Sequence, residues 1–134
     1  DQIRDSVYYW LSLNPPDIIL LHVGTNDISQ KETAYNVSIE IDQILDQIDL
    51  FELDNHYRIK VIVAKIINHF DCQENVRTLN NYISSNVEDR FKDGDYIFLA
   101  DIYSSLNDKR YFLDNVHPNE SGYKVMAETW ASKI

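Results

Sequence analysis

Three apolar runs along the chain predict β-strands, because they are rich in β-branched and aromatic residues and are bounded by polar, Gly or Pro positions. They cover residues 17–23, 58–66 and 96–102. Near-continuous apolar runs are typical of strands covered on both faces, and we expect this of all three. His22 lies inside the first run and is interpreted as a core histidine whose hydrogen bonds are satisfied.

Between these runs, apolar residues recur at the i, i+3, i+4 and i+7 spacing of amphipathic helices. The two long stripes consist of Val37, Ile41, Ile44, Leu45 and Ile48, and of Val76, Leu79, Ile83, Val87 and Phe91. A shorter stripe before the first strand consists of Ile3, Val7, Trp10 and Leu11. The pair Pro15-Pro16 ends this first helix, since proline cannot continue one. A last helix is predicted from about Asn119, with one face formed by Tyr123, Met126 and Trp130.

The predicted order is therefore α-β-α-β-α-β-α, which indicates an α/β fold. Alternating helices and strands favour a parallel sheet between two layers of helices, a three-layer α/β/α arrangement. The length of 134 residues fits one domain, residues 1–134. Three strands are few for this architecture, whose sheets usually have about five. The sequence begins at Asp1 rather than at Met, so we expect a processed product or a fragment.

The composition of the chain limits the classes of partner and of site that it can have. The formal net charge is −10, with acidic residues spread along the chain, and this disfavours nucleic acid and anionic membrane as partners. The longest apolar run is too short to span a bilayer. Cys72 is the single cysteine, which excludes an internal disulfide and a cysteine-ligated zinc.

Candidate chemistry collects where the predicted strands end, since the carboxyl ends of parallel strands share one edge of a sheet. The loops there are residues 24–27, 68–71 and 103–117. In the third loop, Asp114 and His117 are three positions apart, so one helical turn would place them on one face. A carboxylate bonded to one ring nitrogen leaves the other free to act as a base. A capping loop with a solvated histidine remains an alternative.

The first loop, Gly24-Thr25-Asn26-Asp27, follows the first strand directly. Glycine permits a sharp turn, and the Asn26 amide could donate a hydrogen bond to an oxyanion. An ordinary strand-to-helix turn with an Asx cap is the alternative.

Two stretches together resemble the SGNH, or GDSL, hydrolase superfamily of serine esterases and lipases. "LLHVGTND" (residues 20–27) matches its Gly-x-Asn-Asp block, and "DNVHP" (residues 114–118) matches its Asp-x-x-His-Pro block. The flow "NPPDIILLHVGTNDI" looks most like carbohydrate esterases that deacetylate xylan-type polysaccharides. The resemblance implies a flavodoxin-like SGNH fold, reduced here to its last three strands.

The resemblance also implies roles for individual residues. His117 would be the general base, Asp114 would orient it, and Asn26 would donate a side-chain hydrogen bond to the oxyanion. Gly24, Thr25 and Asp27 would shape the oxyanion loop. No metal and no organic cofactor is implied, and the expected substrate is an ester or an acetylated carbohydrate. An extracellular location is favoured by the carbohydrate-esterase resemblance alone.

The sequence departs from the family at the nucleophile. The family's Gly-Asp-Ser block and its second Gly block are both absent from this sequence. Ser104 is the nearest substitute, yet it lies in no Gly-flanked turn. We therefore expect the 134-residue chain alone to be inactive. The alternative is a non-catalytic α/β module that binds carbohydrate or a protein partner.

Two further residues are candidate substrate contacts, His69 in the second loop and Tyr111 ahead of Asp114. The alternatives are a loop histidine without a role and a tyrosine that packs under the loop. If two strands are missing, the first strand would lie at a sheet edge, which would favour self-association.

Overall fold

The computed structural model describes residues 2–134. Its elements, in chain order, are α1 (Gln2–Leu13), β1 (Ile18–Leu21), α2 (Thr25–Ser29), α3 (Ala34–Asn55), β2 (Lys60–Ala64), α4 (Gln73–Asp93), β3 (Ile97–Ala100), α5 (Ile102–Ser105), a 3-10 turn (Lys109–Tyr111) and α6 (Glu120–Ala131). None of the helices in this range has both the length and the hydropathy needed to span a membrane.

The strands form a parallel sheet in the order β1-β2-β3. The central strand, β2, alternates between two cores: Val61 and Val63 pack on one side, and Ile62 and Ala64 on the other. All four side chains are buried. A strand with two apolar faces requires a layer of helices on each, and this confirms the predicted α/β fold with a parallel sheet.

The two helical layers are unequal. The larger core lies between the sheet and α1, α3 and α4, and the long stripes on α3 and α4 supply most of it. The smaller core lies on the opposite face, where α5, Phe112 and α6 cover β2 and β3. In α6 the half-buried residues Val125, Met126 and Trp130 provide the packing. The loops that follow β1, β2 and β3 therefore lie at one edge, between these layers.

The first strand differs from the prediction. Full burial on both faces is wrong for β1, because Ile18 and Leu20 are 37% and 44% exposed. Ile19 and Leu21 point into the larger core, whereas the alternate residues lie beside the smaller one, which is built on β2 and β3. β1 occupies an edge of the sheet and pairs with β2.

The ends of other strands and helices also differ from the predicted ones. Each strand is shorter than its apolar run, and two short helices, α2 and α5, replace segments read as loop or strand. Asp101 ends the third strand because its side chain accepts a hydrogen bond from the Ser104 N–H and caps α5. At the ends of the predicted stripes, Trp10 and Phe91 are 50% and 55% exposed.

Candidate active site

Asp114 and His117 are in direct contact in the segment between β3 and α6. Asp114 Oδ2 lies 2.7 Å from His117 Nδ1. Asp114 Oδ1 accepts hydrogen bonds from the backbone N–H groups of Val116, at 2.8 Å, and His117, at 2.7 Å. The segment is a bend and not the helical turn expected from the spacing. The contact arises because the carboxylate closes the bend onto its own backbone.

These three hydrogen bonds favour the ionised carboxylate. The backbone N–H groups of His117 and Val116, followed by the His117 ring, hold the pKa of Asp114 well below its usual range. Asp114 is therefore an anion at any ordinary pH. With a carboxylate at Nδ1, the neutral His117 ring carries its proton there and leaves Nε2 as an acceptor.

The chain on either side of the bend forms a narrow loop. The N–H of Leu113 donates to the carbonyl of His117 at 2.8 Å, and that of Asn119 donates to the carbonyl of Tyr111 at 2.8 Å. Gly122 of α6 packs against this loop, since a Cβ there would lie 2.3 Å from the Tyr111 carbonyl oxygen. The absence of a side chain at Gly122 therefore allows α6 to approach the His117 loop closely.

Gly24 makes the turn from β1 into α2. Its φ of 107° lies in the left-handed region, and a Cβ would meet Val37 and Leu79 at 3.0 and 3.1 Å. The fully buried Ile28 anchors α2 beneath this turn. The next residues, Thr25, Asn26 and Asp27, form the first turn of α2, and the Asn26 side chain is exposed.

A cleft of about 1040 Å³ joins the two motifs. His117 and Val116 line it from one loop, and the oxyanion-loop residues of the prediction, Gly24, Thr25, Asn26 and Asp27, line it from the other. The cleft passes His22 and Val23, which follow β1, and lies between residues of α1 and α3 and residues of α6. His117 and Asn26, which the sequence predicted as a base and an amide donor, thus line one open cleft.

The two candidate substrate contacts lie elsewhere. Neither His69 nor Tyr111 is among the described residues that line the cleft. The Tyr111 hydroxyl accepts a hydrogen bond from Arg110 at 3.0 Å. Nδ1 of His69 is buried and has no hydrogen-bond partner within residues 2–134.

His22 was not expected at the site, yet it lines the cleft. It is half-buried, and its Nε2 atom is buried without a hydrogen-bond partner in the described part of the chain. The interpretation as a satisfied core histidine is therefore wrong. Burial lowers the pKa of the His22 imidazole and favours its neutral form.

Sequence reasoning also missed Asn80, which lies within the apolar stripe of α4. Its side chain is buried, accepts a hydrogen bond from the Ile66 N–H at 2.7 Å and donates one to the Ile66 carbonyl at 2.9 Å. This amide fixes the backbone where β2 leaves the sheet. The adjacent residue, Ile67, lines the cleft.

The hydroxyls of Ser104 and Ser29 bond to groups other than His117. Ser104, the nearest substitute nucleophile, donates to Asp101 Oδ2 at 2.9 Å, and Ser29 in the cleft lining donates to the Thr25 carbonyl at 2.9 Å. Across residues 2–134, no serine hydroxyl forms a hydrogen bond with His117.

The sequence profile of the GDSL-like lipase/acylhydrolase family matches residues 1–130. A curated relative is a multidomain esterase of Ruminococcus flavefaciens, 27% identical over 122 residues. The alignment covers 89% of this chain and 16% of that protein.

Similar structures include two family 3 carbohydrate esterases. The one from Talaromyces cellulolyticus is 25% identical, with a TM-score of 0.85, and the match covers 99% of this chain and 64% of that one. The one from Clostridium thermocellum has the same fold at 22% identity, with a TM-score of 0.81, covering 98% of this chain and 62% of that one. The chain thus spans less than two thirds of the length of each.

Proposed function

The chain belongs to the GDSL-like lipase/acylhydrolase family, and from this premise we propose that it supplies the base and an oxyanion donor of a serine ester hydrolase. The observation that most supports the proposal is the Asp114–His117 pair, which opens onto the same cleft as Asn26. Family membership supports ester hydrolysis as the type of reaction. The roles of individual residues are our assignment.

In this mechanism a serine Oγ attacks the ester carbonyl while His117 Nε2 takes the hydroxyl proton. The new O–C bond gives a tetrahedral oxyanion, which Asn26 Nδ2 stabilises together with backbone N–H groups. Asp114 holds the ring at Nδ1 and stabilises the imidazolium that forms. Collapse breaks the ester C–O bond, and the proton passes from His117 to the leaving alcohol. Water, deprotonated in turn by His117, then releases the acyl group from the serine.

We assign the nucleophile to polypeptide outside residues 1–134, since the hydroxyls of Ser104 and Ser29 are bonded to other groups. We place it beside β1, which lies at an edge of the sheet. The 134-residue chain alone is then inactive. In this assignment the domain is a single SGNH-type unit that is incomplete at its N-terminal side.

For the substrate we propose acetylated carbohydrate. A family 3 carbohydrate esterase is among the similar structures, at 25% identity, and an esterase is among the curated relatives. His69 and Tyr111 are retained as predicted sugar contacts, although they lie outside the cleft lining. In a fusion that supplies the nucleophile, alanine at either position should raise KM for acetylated xylan without lowering kcat.

The experiment compares the chain alone with a fusion that places a Gly-Asp-Ser-bearing segment ahead of residue 1. A fluorophosphonate probe and acetate release from acetylated xylan are the readouts. The chain alone should show neither labelling nor release, whereas the fusion should show both. His117→Ala and Asn26→Ala in the fusion should each lower kcat by at least about 100-fold.

Two outcomes count against the proposal. A serine of the isolated chain that reacts with the probe would show that the nucleophile lies within residues 1–134. A fusion that folds and binds acetylated xylan but hydrolyses no ester would favour the non-catalytic module instead.

We also propose that the isolated chain self-associates through β1. A second copy, related by a two-fold axis normal to the sheet, would pair antiparallel with β1 and place the exposed Ile18 and Leu20 side chains of both copies on one face. Sedimentation velocity should show a dimer, and Leu20→Lys should return it to monomer. Leu53→Lys, at a 74% exposed leucine of α3, is the matched control and should leave the dimer intact. A strictly monomeric wild-type chain contradicts this proposal.

A further inference from the structure

Asn115 lies between Asp114 and His117 and makes hydrogen bonds to three other residues. Its Nδ2 donates to both carboxylate oxygens of Asp71, each at 3.0 Å. Its Oδ1 accepts from Lys109 Nζ at 3.1 Å, and its backbone carbonyl accepts from the Phe70 N–H at 2.9 Å. Both polar ends of the side chain and the main-chain carbonyl are therefore engaged.

These partners belong to other segments of the chain. Phe70 and Asp71 follow β2, and Lys109 belongs to the 3-10 turn after β3. An aromatic contact lies beside the polar one, because the Phe70 ring packs edge-to-face on Phe112 with centroids 5.1 Å apart. Lys109 Nζ lies 5.4 Å from the centroid of the Phe70 ring. Asn115 thus ties the loop after β3 to the loop after β2.

The Asp114–His117 pair has little packing of its own. Its side chains are 56% and 68% exposed. The bonds from Val116, His117 and Leu113 close the bend on itself, so they do not fix its position relative to the sheet. The Asn115 bonds join the bend to a segment outside the 103–117 loop.

We propose that Asn115 is a positioning residue, which holds the Asp114–His117 pair in place by fixing its loop to Phe70 and Asp71. An effect of Asn115 on catalysis rests on the proposed function, whereas its hydrogen bonds to Phe70 and Asp71 do not. Asn115 touches neither substrate nor reacting atoms in this scheme and acts through the orientation of the His117 ring.

The test measures the tautomer of His117 in the 134-residue chain, by the ring ¹⁵N chemical shifts at about pH 8, where an ordinary histidine is neutral. This readout requires no nucleophile, so it can succeed or fail independently of esterase activity. The variants are Asn115→Ala, Asn115→Asp and the swap Asn115→Asp with Asp71→Asn. The single Asp variant places two carboxylates together, and the swap restores a donor opposite an acceptor.

We expect both single variants to lower the ratio of Nδ1–H to Nε2–H tautomers about five-fold, the equivalent of one ordinary hydrogen bond. The swap should recover most of the ratio. Asn107→Ala, at an exposed asparagine of the same connection, is the control and should leave the ratio unchanged.

An unchanged ratio in the single variants, even with a lowered Tm, would make Asn115 merely structural and overturn the proposal. A swap without recovery, or an equal loss in Asn107→Ala, would do the same. If both single variants unfold while Asn107→Ala folds, Asn115 supports the fold rather than the pair, and the proposal is wrong.

Discussion

Asp114 uses one carboxylate oxygen for the His117 ring, at 2.7 Å, and the other for the backbone N–H of the same residue, also at 2.7 Å. His117 is therefore held at two points by one side chain. The ring cannot leave its position by a χ rotation without losing a charge-assisted hydrogen bond. The arrangement places the His117 ring by means of a bend, with no helix involved.

The depressed pKa of Asp114 predicts how this bend responds to acid. The pKa of this carboxyl group is lower in the folded protein than in the unfolded chain. Its ionisation therefore stabilises the fold at pH values above the unfolded pKa, and this stabilisation is lost as the pH falls through the folded pKa. The amide resonances of Val116 and His117 should therefore not titrate until well below the ordinary aspartate value of 3.8. Asp114→Asn should shift both resonances at neutral pH. A titration midpoint at or above 3.8 would contradict the prediction.

The hydrogen bonds of Asn80 predict that substitutions at two neighbouring asparagines differ greatly in their effect on the free energy of unfolding. Asn80→Ala removes the two hydrogen bonds to the backbone of Ile66 and leaves both buried groups unpaired. The loss should lower the free energy of unfolding by about 2–4 kcal/mol, measured by urea denaturation. Asn81→Ala, one position along at an exposed site, should change it by less than about 0.5 kcal/mol. Equal effects at the two positions would contradict this account.

Sequence patterns predicted the parts of the fold in which apolar residues recur at a regular spacing. The central strand and the stripes on α3 and α4 follow periods of hydrophobicity over many residues, and their buried positions match, including Val61, Ile44 and Leu79. Periodicity does not show where a covering layer stops. It therefore failed at Ile18 and Leu20, whose exposure depends on how far the α6 layer extends over the sheet.

Short motifs led to residues whose loops meet at one cleft, but not to the residues that support those loops. "GTND" and "DNVHP" led to Asn26, Asp114 and His117, and the structure brings the loops that carry them to one cleft. Asn80 and Asn115 have no sequence signal, because an asparagine in a helix or a loop looks the same whether or not its amide bridges two segments. Their importance lies in long-range hydrogen bonds, which no local pattern contains.

Gly122 predicts that α6 cannot accept even a methyl group where it meets the His117 loop. A Cβ there would lie 2.3 Å from the Tyr111 carbonyl oxygen and 2.9 Å from the Pro118 Cβ. Relief requires α6 to move, so Gly122→Ala should lower the free energy of unfolding by about 1–3 kcal/mol in urea denaturation, despite the better helix propensity of alanine. Ser121→Ala, at an exposed position of the same turn, is the control. Equal or greater stability of Gly122→Ala would show that the close approach is not required.

Arg90 of α4 joins the two long helices through carboxylates. It makes ion pairs with Asp42, Asp46 and Asp49 of α3 and with Asp95 at 3.6 Å. Its own side chain is 15% exposed. Four acids around one cation leave uncompensated negative charge, and Asp49 is affected most. Burial raises the pKa of Asp49, and repulsion from Asp95 raises it further. The attraction of Arg90 opposes both effects, and the resulting pKa is about 6.

Asp49→Asn should therefore stabilise the protein in a pH-dependent way. A carboxyl group whose pKa rises on folding contributes stability at low pH, and this contribution is lost as pH rises through about 6, where the folded protein must carry the charge. The neutral amide avoids this penalty and can still accept a hydrogen bond from Arg90. Because the Asp49 side chain is 41% exposed, water screens the effect, and we expect a Tm increase of only about 2 °C at pH 8. The increase should shrink as pH falls from about 6 toward 3.8. Asp46→Asn, the control, also removes a charge beside Arg90, but from a side chain that is 59% exposed, and it should therefore give a smaller gain. A stabilisation by Asp49→Asn that is constant between these pH values would mean that charge burial at Asp49 is not its cause.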